Sequence, residues 1–185
     1  MQQQSSRLDE LARQSTGLVD KGLMLLDLRE QDRSLYHKTV DWIKTFTPEE
    51  DFEDSDFFLA FIEQNLQLDH PYRVFILYDP GSAQVIGTTS LVPDDQDVGK
   101  ECGIEGIWVA GVNIRRELRN KGYGKILFSC VDDYLSDLEA DPLRANLFVR
   151  NPIALAMYEK FGFSQTEFKV VRQDHEYVVC SKHYG

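Results

Sequence analysis

Arg115, Arg116, Arg119, Lys121 and Lys125 crowd one short stretch with a single acid, Glu117, in a chain whose 31 acidic residues outnumber its 20 basic ones. The same stretch holds Gly122 and Gly124 on either side of Tyr123. Before it runs an apolar segment from Ile104 to Val112, and after it an amphipathic one to Leu138, so the order reads strand, glycine loop, helix. Glycine allows backbone turns and close approaches that a Cβ blocks, while a helix start presents N–H groups and the positive end of its dipole. Gathered cations beside such a turn point to phosphate. Two familiar phosphate loops do not fit: Gly124-Lys125 is followed by Ile126 where a Walker loop needs Ser or Thr, and Leu127 stands where a dinucleotide fingerprint needs a third glycine.

Other chemistries find less support. Cys102, Cys130 and Cys180 are widely spaced with no CxxC pair and read as reduced thiols. His37, His70, His175 and His183 are scattered without metal-ligand spacing, so no metal is expected. A net charge of −11 argues against nucleic acid as the main partner.

The elements that position the basic loop come from the whole chain. At 185 residues, with 42% hydrophobic and 28% charged residues, the sequence has the balance of one globular domain with a substantial core. Residues 22–185 are expected to form that domain, and 1–21 a tail or short helix. No apolar run approaches the ~20 residues that span a bilayer, and the polar start lacks a signal-peptide pattern, so a cytoplasmic location without membrane contact is expected.

Leu23 to Leu28 suits a strand, and Leu35 to Phe46 repeats its apolar positions at helical spacing. Thr47-Pro48-Glu49-Glu50 reads as a capping box, with a second helix start at Asp54-Ser55 ahead of Phe57, Phe58, Phe61, Ile62 and Leu66. The acids Glu49, Glu50, Asp51, Glu53, Asp54 and Asp56 have two readings: complements to helix dipoles, or a rim that attracts a cationic substrate. Tyr72 to Tyr78 and Gln84 to Val92 should pair across Asp79-Pro80-Gly81-Ser82, and Ile104 to about Val112 should lie antiparallel to the second of them. Gly103, Gly106 and Gly111 are placed within that last strand, where glycine implies a bulge or a close backbone approach. After the loop, Tyr123, Ile126, Leu127, Cys130, Val131, Tyr134, Leu135 and Leu138 share one helical face. Ala145 to Val149 reads as a strand, Asn151-Pro152 as a helix start, Gly162 as its stop, and Thr166 to Val171 with Tyr177 to Cys180 as a closing hairpin.

Two motifs in this order resemble the GNAT (Gcn5-related) N-acetyltransferase family. They are Arg119-x-x-Gly122-x-Gly124 between strand and helix and, about 30 residues on, Asn151-Pro-Ile-Ala154-Leu-Ala-Met-Tyr158-Glu-Lys-Phe161-Gly162-Phe163. The resemblance runs from about Leu23 to the C terminus. It implies a single-domain α/β (α+β) fold: a mixed, mostly antiparallel sheet of about seven strands, splayed at the fourth, with helices on both faces. It implies acetyl-CoA as co-substrate, with the backbone of Val109 to Ile114 holding pantetheine, Val112, Asn113 and Ile114 among them. Arg119, Asn120, Lys121, Gly122, Tyr123, Gly124 and Lys125 would hold the pyrophosphate. Asn151 either bonds CoA or caps its helix. One departure from many members is the path Asn113-Ile114-Arg115-Arg116-Glu117-Leu118 between strand and Arg119, which lacks their proline and is longer.

The implied activity is transfer of an acetyl group to a primary amine by direct attack, the acceptor being a small molecule or peptide that an acidic chain tolerates as a cation. An alkylamine with pKa ~10.4 is neutral at pH 7 in only about one molecule in 2,500, equivalent to ~4.6 kcal/mol, so a base or a desolvating site must help. By the resemblance Glu105 is the best-placed base, with Glu101 second. Tyr158 matches the family's tyrosine that hydrogen-bonds the CoA sulfur; the alternative is a core tyrosine. A non-catalytic CoA-binding sensor or scaffold of the same fold is the competing reading. Monomer and homodimer both remain open.

Overall fold

A computed structural model of the chain describes residues 22–31, 33–45, 55–69, 71–138 and 143–185. The 1–21 segment, the capping box at Thr47 and the acids from Glu49 to Asp54 lie outside the described residues.

The described elements run β1 (Met24–Asp27), a 3-10 turn, α1 (Arg33–Ile43), α2 (Ser55–Asn65), β2 (Arg73–Asp79), β3 (Gln84–Val92), α3 (Val98–Cys102) and β4 (Ile107–Ile114). A second 3-10 turn, α4 (Tyr123–Ser136), β5 (Leu143–Val149), α5 (Pro152–Lys160), β6 (Ser164–Arg172) and β7 (His175–Tyr184) complete the chain. Seven strands form one mixed sheet in the order β1-β2-β3-β4-β5-β7-β6. Every pairing is antiparallel except β4 with β5.

Strand alternation sends successive side chains to opposite faces, and both faces are covered. Val74 and Ile76 of β2 pack with Trp42, Ile43, Phe58 and Ile62 under α1 and α2. Phe75 of β2 packs the other way, with Phe128, Val131 and Leu135 of α4. The α4 helix buries a wider arc than expected: Phe128, absent from its anticipated apolar face, is 1% exposed. Sheet and α5 flank α4 on different sides, and the Phe128 ring meets Tyr158 at 4.6 Å and Phe161 at 5.1 Å between centroids.

One local expectation needs correction. β4 begins at Ile107, so Gly103 and Gly106 precede it and only Gly111 lies within it. Glu105 is therefore in the lead-in to the strand. Glu101 and Cys102 belong to α3, a short helix held at its start by the Asp94 carboxylate, which accepts from the N–H groups of Gly99 (2.6 Å) and Lys100 (3.1 Å). The closing hairpin forms as expected from β6 and β7, and β7 inserts between β5 and β6, pairing with β5 from Leu143↔Tyr184 to Val149↔Val178.

Candidate active site

The parallel ladder of β4 and β5 has only the pairs Ile107↔Ala145 and Trp108↔Asn146. Past them the strands part. The closed end is held by a side-chain network: Asn146 donates from Nδ2 to the Glu105 carbonyl (3.2 Å) and accepts from the Ser181 hydroxyl (2.7 Å), to which Arg144 donates (3.0 Å). The open end begins at a bulge. Thr88 pairs with Asn113 and Ser90 with Ala110, so β4 carries an extra residue opposite Thr89. Gly111 sits there at φ 59°, and an added Cβ would come within 3.1–3.2 Å of the Phe58 ring. The backbone angle favours glycine, and the packed aromatic above it leaves little room for a side chain.

The parting leaves a cavity of about 450 Å³. Its lining comes from both faces of the sheet, so it passes through it. From the face covered by α4 and α5 come Val109, Leu147, Val149, Met157 and Tyr158. From the opposite face come Ala110, Phe58, Phe61, Phe148 and Tyr177. Between β3 and α3, Asp95 and Gln96 reach the same space, and at the other rim stand Arg119, Asn120 and Gly124.

Of the residues expected from the sequence, Val109, Val112, Asn113, Ile114, Arg119, Asn120, Gly124, Asn151 and Tyr158 line this cavity together. Lys121, Gly122, Tyr123 and Lys125 do not line it; they form the turn and first residues of α4 just beyond Asn120 and around Gly124. That turn is built as glycine chemistry predicts, with Asn120 at φ 61° and the helix cap Gly122 at φ 87°. Arg119 is anchored by its Nε, which donates to the Ile114 carbonyl (2.9 Å). Asn151 is the α5 cap, its Oδ1 accepting from Ile153 (2.9 Å) and Ala154 (3.4 Å), with Pro152 in the first turn. Glu105 is exposed and stands outside the cavity.

Tyr158 is 7% exposed, packed on Phe128, and its hydroxyl makes no hydrogen bond to another described residue. Burial, and secondarily the Cys180 thiol, push its pKa well above the usual tyrosine value. The hydroxyl thus stays a protonated donor beside the cavity. Asp95, 6% exposed, is the only acidic residue among those lining the cavity that are described. In the sequence nothing sets it apart from its acidic neighbours Asp94 and Asp97. Arg150 and the aromatic lining were also missed, although Phe148 and Arg150 alternate with Leu147 and Val149 along β5 and its end, a pattern that marks residues facing the other side.

Among the described residues no group of three or more His, Cys, Asp or Glu is arranged to hold a metal, and no helix is long and apolar enough to cross a membrane.

Comparison with known proteins agrees with this geometry. No curated protein matches the sequence. Solved structures match over nearly their whole length at low identity. A putative GNAT-family acetyltransferase from Bordetella pertussis has a TM-score of 0.68 at 13% identity, covering 89% of this chain and 98% of its own. A GNAT-family acetyltransferase from Streptococcus pneumoniae has 0.59 at 15%, covering 88% and 99%. A spermidine N-acetyltransferase from Vibrio cholerae in complex with CoA and spermine has 0.57 at 20%, covering 89% and 96%. The family model described as acetyltransferase (GNAT) family matches residues 36–163, which hold both motifs, the split strands and Tyr158. The chain belongs to the GNAT acetyltransferase family.

Proposed function

We infer that this acetyltransferase moves an acetyl group from acetyl-CoA to a primary amine by direct attack within the cleft between β4 and β5. The observation that carries the reading is the cavity through the sheet, with a basic glycine turn at one rim and the Tyr158 hydroxyl in its wall. A route through the sheet lets donor and acceptor arrive from opposite faces and meet, which direct transfer requires.

The residues present fit the donor. Past Trp108, β4 pairs with no strand on its β5 side among the described residues, so the backbone from Val109 to Ile114 is suited to pair an amide-bearing pantetheine arm as an added strand. Arg119 and the turn through Lys125 offer cations and helix-start N–H groups to the pyrophosphate. Asn151, its oxygen engaged in capping, still has amide hydrogens for CoA. Beside this turn, a groove of about 480 Å³ lined by Lys125, Ile153, Met157 and Lys160 suits the nucleotide end. Acetyl-CoA supplies the activated acyl thioester. Tyr158, a weaker acid than a thiol, stabilises charge developing on sulfur by a hydrogen bond and gives its proton late. The Vibrio cholerae neighbour, holding CoA and spermine, supports a fold that takes a CoA and an amine together.

The test is acetyl-CoA-dependent thiol release across alkylamines, polyamines, amino acids and peptides. Amine-dependent release, with the acetylated amine found by mass spectrometry, is expected. Acetyl-CoA binding without release for any amine would contradict transfer.

A further inference from the structure

The acceptor side of the cleft has its own chemistry. Opposite the α4 and α5 face, the cavity is walled by the rings of Phe58, Phe61, Phe148 and Tyr177, and its one described carboxylate is Asp95. Aromatic faces and a carboxylate are the two side-chain surfaces that attract an ammonium. Asp95 is also held in place. Its carbonyl accepts from the N–H of Val98 (3.0 Å), the neighbouring Asp94 caps α3, and Arg172 donates to the Gln96 carbonyl (2.8 Å) while pairing with Glu101 (2.8 Å). The loop is thus pinned to α3 on one side and to the end of β6 on the other. By contrast Glu105, two residues ahead of β4, gives its carbonyl to Asn146 and leaves its carboxylate outside the cavity.

We propose that Asp95 receives the acceptor as an alkylammonium and takes its proton, making it a catalytic residue of this cleft; the proposal rests on the N-acetyl transfer inferred above. The nitrogen starts with three protons and ends, as an amide, with one. One proton leaves through the Asp95 carboxylate to solvent as the neutral amine forms. The nitrogen lone pair then bonds to the thioester carbon, the carbon–sulfur bond breaks with its electron pair passing to sulfur, and the second proton is matched by the one sulfur gains. Tyr158 on the far wall serves the sulfur while Asp95 serves the nitrogen, so the two proton tasks fall on opposite sides of the sheet.

The experiment compares wild type with Asp95→Asn and Asp95→Glu, first with a panel of primary amines and then with ethylamine against trifluoroethylamine, which is neutral at pH 7. Asp95→Asn is expected to lower kcat/KM for ethylamine by about 100-fold at pH 7. That deficit should shrink as pH rises toward the amine's pKa and be several-fold smaller for trifluoroethylamine. Acetyl-CoA affinity should stay within about twofold of wild type, which reports a folded protein, and Asp95→Glu should recover part of the loss. A deficit equal for both amines and constant with pH would mean a structural role and overturn the proposal. So would wild-type kinetics in Asp95→Asn, or loss of the pH dependence in Glu105→Gln instead. Absence of amine-dependent thiol release by wild type across the panel would remove N-acetyl transfer itself, and the Asp95 role with it.

Discussion

Trp108 of β4 pairs with Asn146 of β5, and among the described residues it is the last pair before the two strands separate. Asn146 also ties the Glu105 carbonyl and the Ser181 hydroxyl, so the pair marks a fixed hinge point between a closed ladder and an open cleft. Everything assigned to the donor lies beyond it.

Opening beyond that pair depends on Gly111. Its φ of 59° costs an ordinary residue about 1–2 kcal/mol, and a Cβ would press on the Phe58 ring. Gly111→Val should straighten or strain the bulge and weaken acetyl-CoA binding by at least about tenfold, since ~1.4 kcal/mol is tenfold in affinity. Calorimetry on a variant whose circular dichroism matches wild type checks this; unchanged affinity would separate the bulge from the donor site.

Tyr158→Phe removes one hydroxyl from a well-packed ring. It should lower kcat by about 100-fold with little change in acetyl-CoA affinity. The direction of its pKa shift adds a pH statement. A tyrosine is protonated below its pKa, and burial moves that pKa upward, so its donor form persists through the whole neutral and mildly alkaline range. Any fall in wild-type rate between pH 8 and about 10, the ordinary tyrosine value, belongs to another group and should survive in the residual activity of Tyr158→Phe.

Much of this arrangement was legible before any coordinates. The glycine turn could be read because Gly122 and Asn120 announce positive φ and the cations announce phosphate. The α5 start could be read because Asn and Pro do distinct jobs at a helix N terminus. What escaped was set by tertiary contact. Phe128 lies off the expected stripe because α5 buries a second flank of α4, which no single-helix pattern encodes. Asp95 looked like one more loop acid because its neighbours Asp94 and Asp97 are acids too; only the folded loop separates the helix cap from the residue that lines the cavity. The β5-β7-β6 order was hidden for the same reason, since a hairpin in sequence does not say which strand its far arm joins.

Away from the cleft, Asp132 of α4 is the point where β7 is fastened to the helix. Its Oδ1 accepts from Lys182 Nζ and from the Tyr184 hydroxyl, each at 2.5 Å, with the ion-pair side chains less than a fifth exposed. Asp132→Ala leaves both donors half-buried without it and should cost about 1–3 kcal/mol of stability, read from urea unfolding. A change below about 0.5 kcal/mol would show that solvent replaces the carboxylate freely.

The thiols make a further prediction and bear on any thiol-release assay. Burial pushes Cys130 and Cys180 up to about 11, with Asp133 adding to the first and Glu159 to the second. At pH 8 a thiol of that pKa is thiolate in only about one part in a thousand. Cys102 is half-buried. Native protein should therefore react with Ellman's reagent promptly at no more than Cys102, and at all three cysteines after denaturation. Three prompt thiols in the native state would contradict the burial of β7 and α4.

The central claim is that the turn from Arg119 to Lys125 and the split between β4 and β5 together form an acetyl-CoA site. Calorimetric titration of acetyl-CoA into wild type and Gly122→Asp tests it most directly. Gly122, at φ 87°, has open space around its missing side chain, so the aspartate adds strain and a negative charge where the pyrophosphate is proposed to lie. Saturable one-to-one binding by wild type, abolished in Gly122→Asp, is the predicted result; no binding of acetyl-CoA or CoA by folded wild type would contradict the account.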